Sequence, residues 1–255
     1  ANATGTNAVA LGGGSNGGTN KTEATAANAT AIGFNAKASK SGAAAIGSGA
    51  KASGSDSISF GTDTVADSEK AIAIGAGSKA TNIGATALGR SSAATAASAT
   101  AVGSLASATG TTATAVGIEA SASGAESLAI GKTASATSGR ALAVGTNAKA
   151  TGASSVAVGS GAGNSGPLGF ASSINSLGSV VNSLKTINYA TTAEGDYAVA
   201  LGVYANAKNS GVAVGQNALA ATGGVAIGKG VLEDTGNNLA GGVAIGQDSA
   251  STGAY

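Results

Sequence analysis

The chain contains no cysteine, histidine, methionine or tryptophan, and only one proline, Pro167. Without thiols there is no disulfide framework and no thiol nucleophile, and nothing reports the redox compartment. Such an absence suits a protein exported through an oxidising space. Without histidine there is no imidazole base, which removes the commonest general acid–base group. Carboxylates are scattered and do not recur in pairs at a fixed place, as an acid and base partnership requires. No enzymatic activity, cofactor or metal site is assigned on these grounds. Aromatic residues are 3% of the chain and charged residues 10%. A globular core would be short of large side chains. The net charge of +1 gives no basic field for nucleic acid and no acidic field for a cationic partner. No apolar run approaches the ~18 residues of a membrane span. Nothing resembling a signal peptide stands at Ala1, and the chain reads as a processed or excised piece of a longer protein.

What is present is repetition. A five-residue phrase such as Ala113-Thr114-Ala115-Val116-Gly117 ends at Gly12, Gly33 and every 14 residues from there to Gly159, then at Gly202, Gly215, Gly228 and Gly246. A fixed period of this kind marks a solenoid, each repeat stacking on the next. Abundant Gly, Ser, Thr and Asn with little charge also fits disorder, but the strict apolar register argues against it.

Within each phrase the period is two. Leu142-Ala143-Val144, Val156-Ala157-Val158 and Val212-Ala213-Val214 alternate large apolar residues with alanine, and glycine follows at once. This predicts a short strand ended by a turn. A second, weaker strand is predicted around Ala106-Ser107-Ala108, Ala120-Ser121-Ala122, Ala134-Ser135-Ala136 and Ala148-Lys149-Ala150, one face buried and one wet. Gly110, Gly124 and Gly152 supply a second turn. The coil is therefore strand, turn, strand, turn. Parallel stacking at about 4.8 Å per coil gives a rod on the order of 60–70 Å long. The fold class is all-β, a parallel β-roll.

A coil this short buries only one face of each strand. The first strand is apolar on both faces, so a lone rod would expose a long small-residue stripe, which soluble monomers avoid. Parallel packing of identical rods would cover it. The alternation leaves open whether the alanine column or the bulky column faces the partner.

The phrases Ser155-Val156-Ala157-Val158-Gly159 and Gly242-Val243-Ala244-Ile245-Gly246, with the Ala-x-Ala half as in Ala148-Lys149-Ala150, resemble the YadA-like head repeats of trimeric autotransporter adhesins. The resemblance spans roughly residues 7–163 and 195–253. It implies a left-handed parallel β-roll with three identical chains around one axis. It also implies display on the outer surface of a Gram-negative bacterium and attachment to host matrix proteins or cell-surface receptors. The family's stalk and membrane anchor would lie outside this stretch. Departures are Thr30, Ala44, Thr86, Thr100 and Thr114 at the first strand position, and three breaks in the lattice. The enzyme rival with comparable local sequence, the hexapeptide-repeat acyltransferase, has a longer coil and relies on a histidine, so it fails on both counts.

The first break holds Gly12-Gly13-Gly14-Ser15-Asn16-Gly17-Gly18. No Lys-Ser/Thr pair follows to complete a phosphate-binding loop, so it reads as a surface loop. The second spans 43 residues from Gly159 to Gly202. There Ile174, Leu177, Val181 and Leu184 are spaced 3-4-3, which predicts a short helix over about 172–187. Three segments follow: roll repeats at 1–163, a mainly helical insert at 164–196, and roll repeats again at 197–255. The insert reads as a crossover or collar, or alternatively as a projecting binding element, since Phe170, Tyr189, Tyr197 and Tyr204 gather around it in a chain with few aromatics. The third break, with Glu233-Asp234-Thr235-Gly236-Asn237-Asn238, lacks the ligand alternation of a calcium loop and reads as a solvated turn.

Lys37, Lys51, Lys79 and Lys149 occupy one place in the coil, so stacking predicts a broken basic file along the rod. It would meet acidic matrix or glycosaminoglycan, or merely maintain solubility. Thr86, Thr100 and Thr114 form another file. An ice-binding face needs a broad threonine lattice, and a single column reads instead as interior packing. The candidate ligand contacts are thus Lys37, Lys51, Lys79, Lys149, Phe170, Tyr189, Tyr197 and Tyr204. The function expected is multivalent attachment by an adhesin head, with a passive spacer raising a separate binding tip as the alternative. The expected partners are two identical chains and a host matrix protein or receptor, with neither nucleic acid nor membrane insertion.

Overall fold

The computed structural model describes residues 1–13, 21–160, 190–230 and 241–247, together with the backbone of 232–233 and 250–251. Two parallel sheets run along the molecule, one of 16 two-residue strands and one of 15 three-residue strands. The chain visits them alternately. Thr100–Val102 lies in the longer-stranded sheet and Ser107–Ala108 in the other. Each strand pairs with its equivalent in the next coil, as in Thr100↔Thr114, Ala101↔Ala115 and Val102↔Val116. The ladder is regular: Thr100 N–H donates to Ala113 O at 2.9 Å, and Gly117 N–H to Val102 O at 2.8 Å. The backbone donors and acceptors in each coil are thus satisfied by its neighbours. No helix occurs among the described residues, and the helix expected over 172–187 falls outside them.

The core is almost entirely alanine. Ala99, Ala101, Ala106 and Ala108 line one coil and Ala113, Ala115, Ala120 and Ala122 the next, all at 0% exposure. With both sheets inside one 14-residue coil there is room between them for methyl groups and little more. This fixes the orientation that alternation leaves open. The alanine column of the three-residue strand points in, and the bulky residues on either side of it point out. The exposed stripe is accordingly large and apolar, not small. Val116, on the face opposite Ala115, is half-exposed in the single chain.

Turn chemistry explains the glycine lattice. Gly117 has φ +135°, and a Cβ built there would lie 2.5 Å from the carbonyl oxygen of Gly131 in the next coil. Backbone conformation and close stacking therefore both demand glycine. Each coil also holds a left-handed residue in each turn, such as Asn28 (φ 57°) and Asn35 (φ 56°). Asn tolerates this region better than most side chains. In the second turn the left-handed residue is Thr112 or Glu126, two positions beyond Gly110 and Gly124.

The breaks are absorbed without loss of stacking. Across the long one, Lys149 pairs with Thr192 and Val156 with Val199. The roll has therefore resumed by strand Thr192–Ala193. The first two breaks enter at the same turn, between an anchor glycine and the following two-residue strand. At each re-entry a threonine replaces the inner alanine. The Thr22 hydroxyl donates to Gly33 O at 2.5 Å and that of Thr191 to Gly202 O at 2.6 Å. Beyond Gly202 the step shortens to 13 residues, to Gly215 and again to Gly228. One residue is lost from the second turn, and Gly211 replaces an inner alanine. A Cβ there would meet Ala221 O at 2.6 Å.

Candidate interaction faces

The outer face of the two-residue strands carries the lysine file. Lys37 and Lys51 are direct partners, Val65 separates Lys51 from Lys79, and Ala93, Ser107, Ser121 and Ser135 lie between Lys79 and Lys149. All four lysines thus occupy one column, as their spacing requires. Their electrostatic freedom is not equal. Lys37 Nζ lies 4.0 Å from a Glu23 carboxylate oxygen and Lys51 Nζ 2.8 Å from Asp67. Both pairs are well exposed, so each contributes at most about 1 kcal/mol. They do, however, offset the charge of two of the four lysines of the file. Lys79 and Lys149 are exposed.

The aromatic group separates. Tyr197 (φ 58°) and Tyr204 (φ 59°) both take left-handed conformations but stand in opposite turns of the coil. Tyr197 is 69% exposed, whereas Tyr204 is half-buried. They do not form one cluster. Phe170 and Tyr189 lie outside the described residues, as do the side chains of the 233–238 segment.

The outer face of the three-residue strands presents two columns of larger side chains. One runs Val9, Thr30, Ala44, Ile58, Ile72, Thr86, Thr100, Thr114, Leu128, Leu142, Val156, Val199, Val212, Val225 and Val243. The other, two residues on, is bulky throughout. Leu11, Phe60, Ile74, Ile130, Ile227 and Ile245 of this second column are exposed. The spacing predicts interior packing for Thr86, Thr100 and Thr114. The structure places them on this outer face instead, half-exposed, because the alanines between flanking positions fill the interior. The apolar surface extends over the adjoining turn through Phe34, Leu105, Ile118 and Val203. Phe34, Ile118 and Val203 each directly follow an anchor glycine, a position that is polar, charged or small in the other coils, as at Ser48, Arg90 and Lys132.

Among the described residues no three His, Cys, Asp or Glu side chains gather as a metal site would need, and no helix is long and apolar enough to cross a membrane. A family model described as the YadA head domain repeat (2 copies) matches residues 1–16, 24–50, 52–78, 80–106, 108–134, 136–162, 189–205 and 193–218. The chain belongs to the YadA head family. This family is adhesin-type and structural rather than enzymatic. No curated protein matches the chain. In this YadA head, then, the surfaces that matter are extended faces: one that carries a lysine file, and a long apolar face with scattered apolar residues on its adjoining turn.

Proposed function

We propose that the chain is the head of a bacterial surface adhesin in which three identical copies pack through their bulky faces around a common axis, as left-handed rolls. The head would attach to host extracellular matrix or cell-surface receptors from the outer surface of a Gram-negative cell. The observation that carries this reading is the run of YadA head repeats over most of residues 1–218. The outward columns support the assembly. A soluble monomer rarely leaves so long an apolar patch bare, and a second rod with the same coil spacing is commensurate with it along its whole length. With those faces covered, the lysine file and the turns remain on each side of the trimer. Binding would sum shallow contacts by avidity. Among the described residues Lys51, Lys79, Lys149 and Tyr197 are the exposed candidates, Lys51 being paired with Asp67, while the insert beginning near residue 164 contributes Phe170 and Tyr189 by sequence position alone.

A second reading, a spacer that only raises a separate binding tip, is favoured by one observation: serines fill much of the column between the lysines, and two of the four lysines are tied to carboxylates. Binding of intact assemblies to immobilised matrix proteins separates the two. The adhesin reading expects the parent to bind, with a fall of about tenfold or more when Lys79 and Lys149 are both changed to Glu or when residues 161–189 are removed. A parent that binds no matrix protein or receptor supports the spacer.

A further inference from the structure

Rods of near-identical coils share a problem that globular subunits do not have. A chain that slides by one coil, about 4.8 Å, meets almost the same surface again. A slip uncovers only one coil at each end, and the contact face has 15 three-residue strands, so end effects protect the register weakly. Along most of the outward face a slip sets an aliphatic residue or threonine against the same residue or another of that group, as in Val102↔Val116, Thr100↔Thr114 and Thr114↔Leu128.

One coil departs from this degeneracy, on its outside and its inside together. Outside, Phe60 is the only aromatic residue in the two outward columns. It is 51% exposed, with Ile58 beside it also exposed. The preceding coil puts Ala44 and Ile46 against them, as Ala44↔Ile58 and Ile46↔Phe60. Ala44 is the smallest residue of its column, so the largest change in side-chain volume between neighbouring coils falls here. Inside, the same strand carries Ser59 where every other three-residue strand has alanine. The Ser59 and Thr64 hydroxyls are 2.7 Å apart, Ser59 Oγ donates to Thr64 O at 3.0 Å and Thr64 Oγ1 to Gly61 O at 3.0 Å. Ser57 Oγ adds a bond to Gly54 O at 2.7 Å. A buried hydroxyl bracket thus ties the two sheets together behind Phe60 and holds its strand in place.

We propose that this coil sets the axial register in which identical chains pack, with Phe60 as the index residue. The proposal rests on the reading that copies of the chain cover the outward face. Closed symmetry puts equal coils at equal height. A slipped chain sets its Phe60 level against the Ile46 or Ile74 level of its neighbours, overpacking one level and leaving a void at another, both unfavourable.

The chain has no cysteine, so introduced thiols report cleanly. Single variants Thr100→Cys and Thr114→Cys in one outward column, and Val102→Cys and Val116→Cys in the other, are oxidised as assembled protein. They are then tested as mixtures of the two variants from the same column. A one-coil shift exceeds what disulfide geometry tolerates. In the parent background, disulfides form between like variants and not across the mixture. With Phe60→Val, which leaves the alanine core and the hydroxyl bracket intact, cross-coil disulfides rise about tenfold relative to like pairs. Unchanged like-pair disulfides in the Phe60→Val background, or equal amounts of both kinds in the parent, overturn the register proposal while leaving the assembly reading standing. A parent that sediments as a folded monomer overturns both.

Discussion

At the scale of the residue, an alanine core makes every departure from alanine informative. Ser127 and Ser155 occupy the same inner column two coils apart and are both buried. The Ser155 hydroxyl donates to Gly152 O at 2.7 Å, whereas Ser127 Oγ finds no partner. A buried hydroxyl without a bond costs about 1–3 kcal/mol. Ser127→Ala is therefore expected to stabilise the fold by about 1 kcal/mol and Ser155→Ala to be neutral or destabilising, read from denaturant midpoints at fixed protein concentration. The turns offer the complementary case. Arg140 is exposed at φ 57°, in the column where Asn28 stands. Arg140→Asn should raise the stability read from the midpoint by a few tenths to about 1 kcal/mol, since Asn relieves left-handed strain. Gly117→Ala should do the reverse by more than about 2 kcal/mol, because the added methyl meets Gly131 O as well as an unfavourable φ. A null effect of Gly117→Ala would mean that the coils stack less closely than described.

At the scale of the element, each coil depends on its two neighbours, and the breaks interrupt the chain but not the stack. Residues 161–189 number 29, and their removal leaves a 14-residue step from Gly159 to Gly202. Since Lys149 already pairs with Thr192 and Val156 with Val199, the shortened chain should keep its β circular-dichroism signal and lose little stability. Collapse of that signal would show that the insert braces the roll. The strands, the turn glycines and the stacking were legible because period-two alternation and a fixed step are carried by side-chain types themselves. The lysine column was legible for the same reason. The direction of the three-residue strand was not, since both of its faces are apolar and only the narrow space inside the coil decides in favour of alanine. Thr86, Thr100 and Thr114 were misplaced through that same ambiguity. The shortened coils were readable in principle, because Gly211 and Gly224 replace inner alanines where the step falls to 13 residues. The pairing of Lys37 with Glu23 and of Lys51 with Asp67 was not, because it needs side-chain reach across coils as well as position.

At the scale of the whole molecule, the single chain is a roll with an alanine interior and a bulky apolar face outside. Its hydrogen bonds run from coil to coil and its core is closed, yet its bulkiest side chains, from Leu11 (65% exposed) to Ile245 (67% exposed), stand outside. Burial of apolar surface contributes roughly 25 cal/mol per Å², so association through this face would dominate the stability of the assembly and make folding dependent on concentration. A charge placed in the bulky column, as in Val116→Asp, would be unfavourable to bury and should shift the assembly towards single chains without disturbing the alanine core. Adhesion by summed contacts and the axial register both presuppose that association. The most direct test is sedimentation equilibrium of the intact chain at low micromolar concentration. The account predicts a mass three times the 23.2 kDa of the single chain, falling towards one chain for Val116→Asp. A parent that remains a folded monomer at that concentration would contradict it.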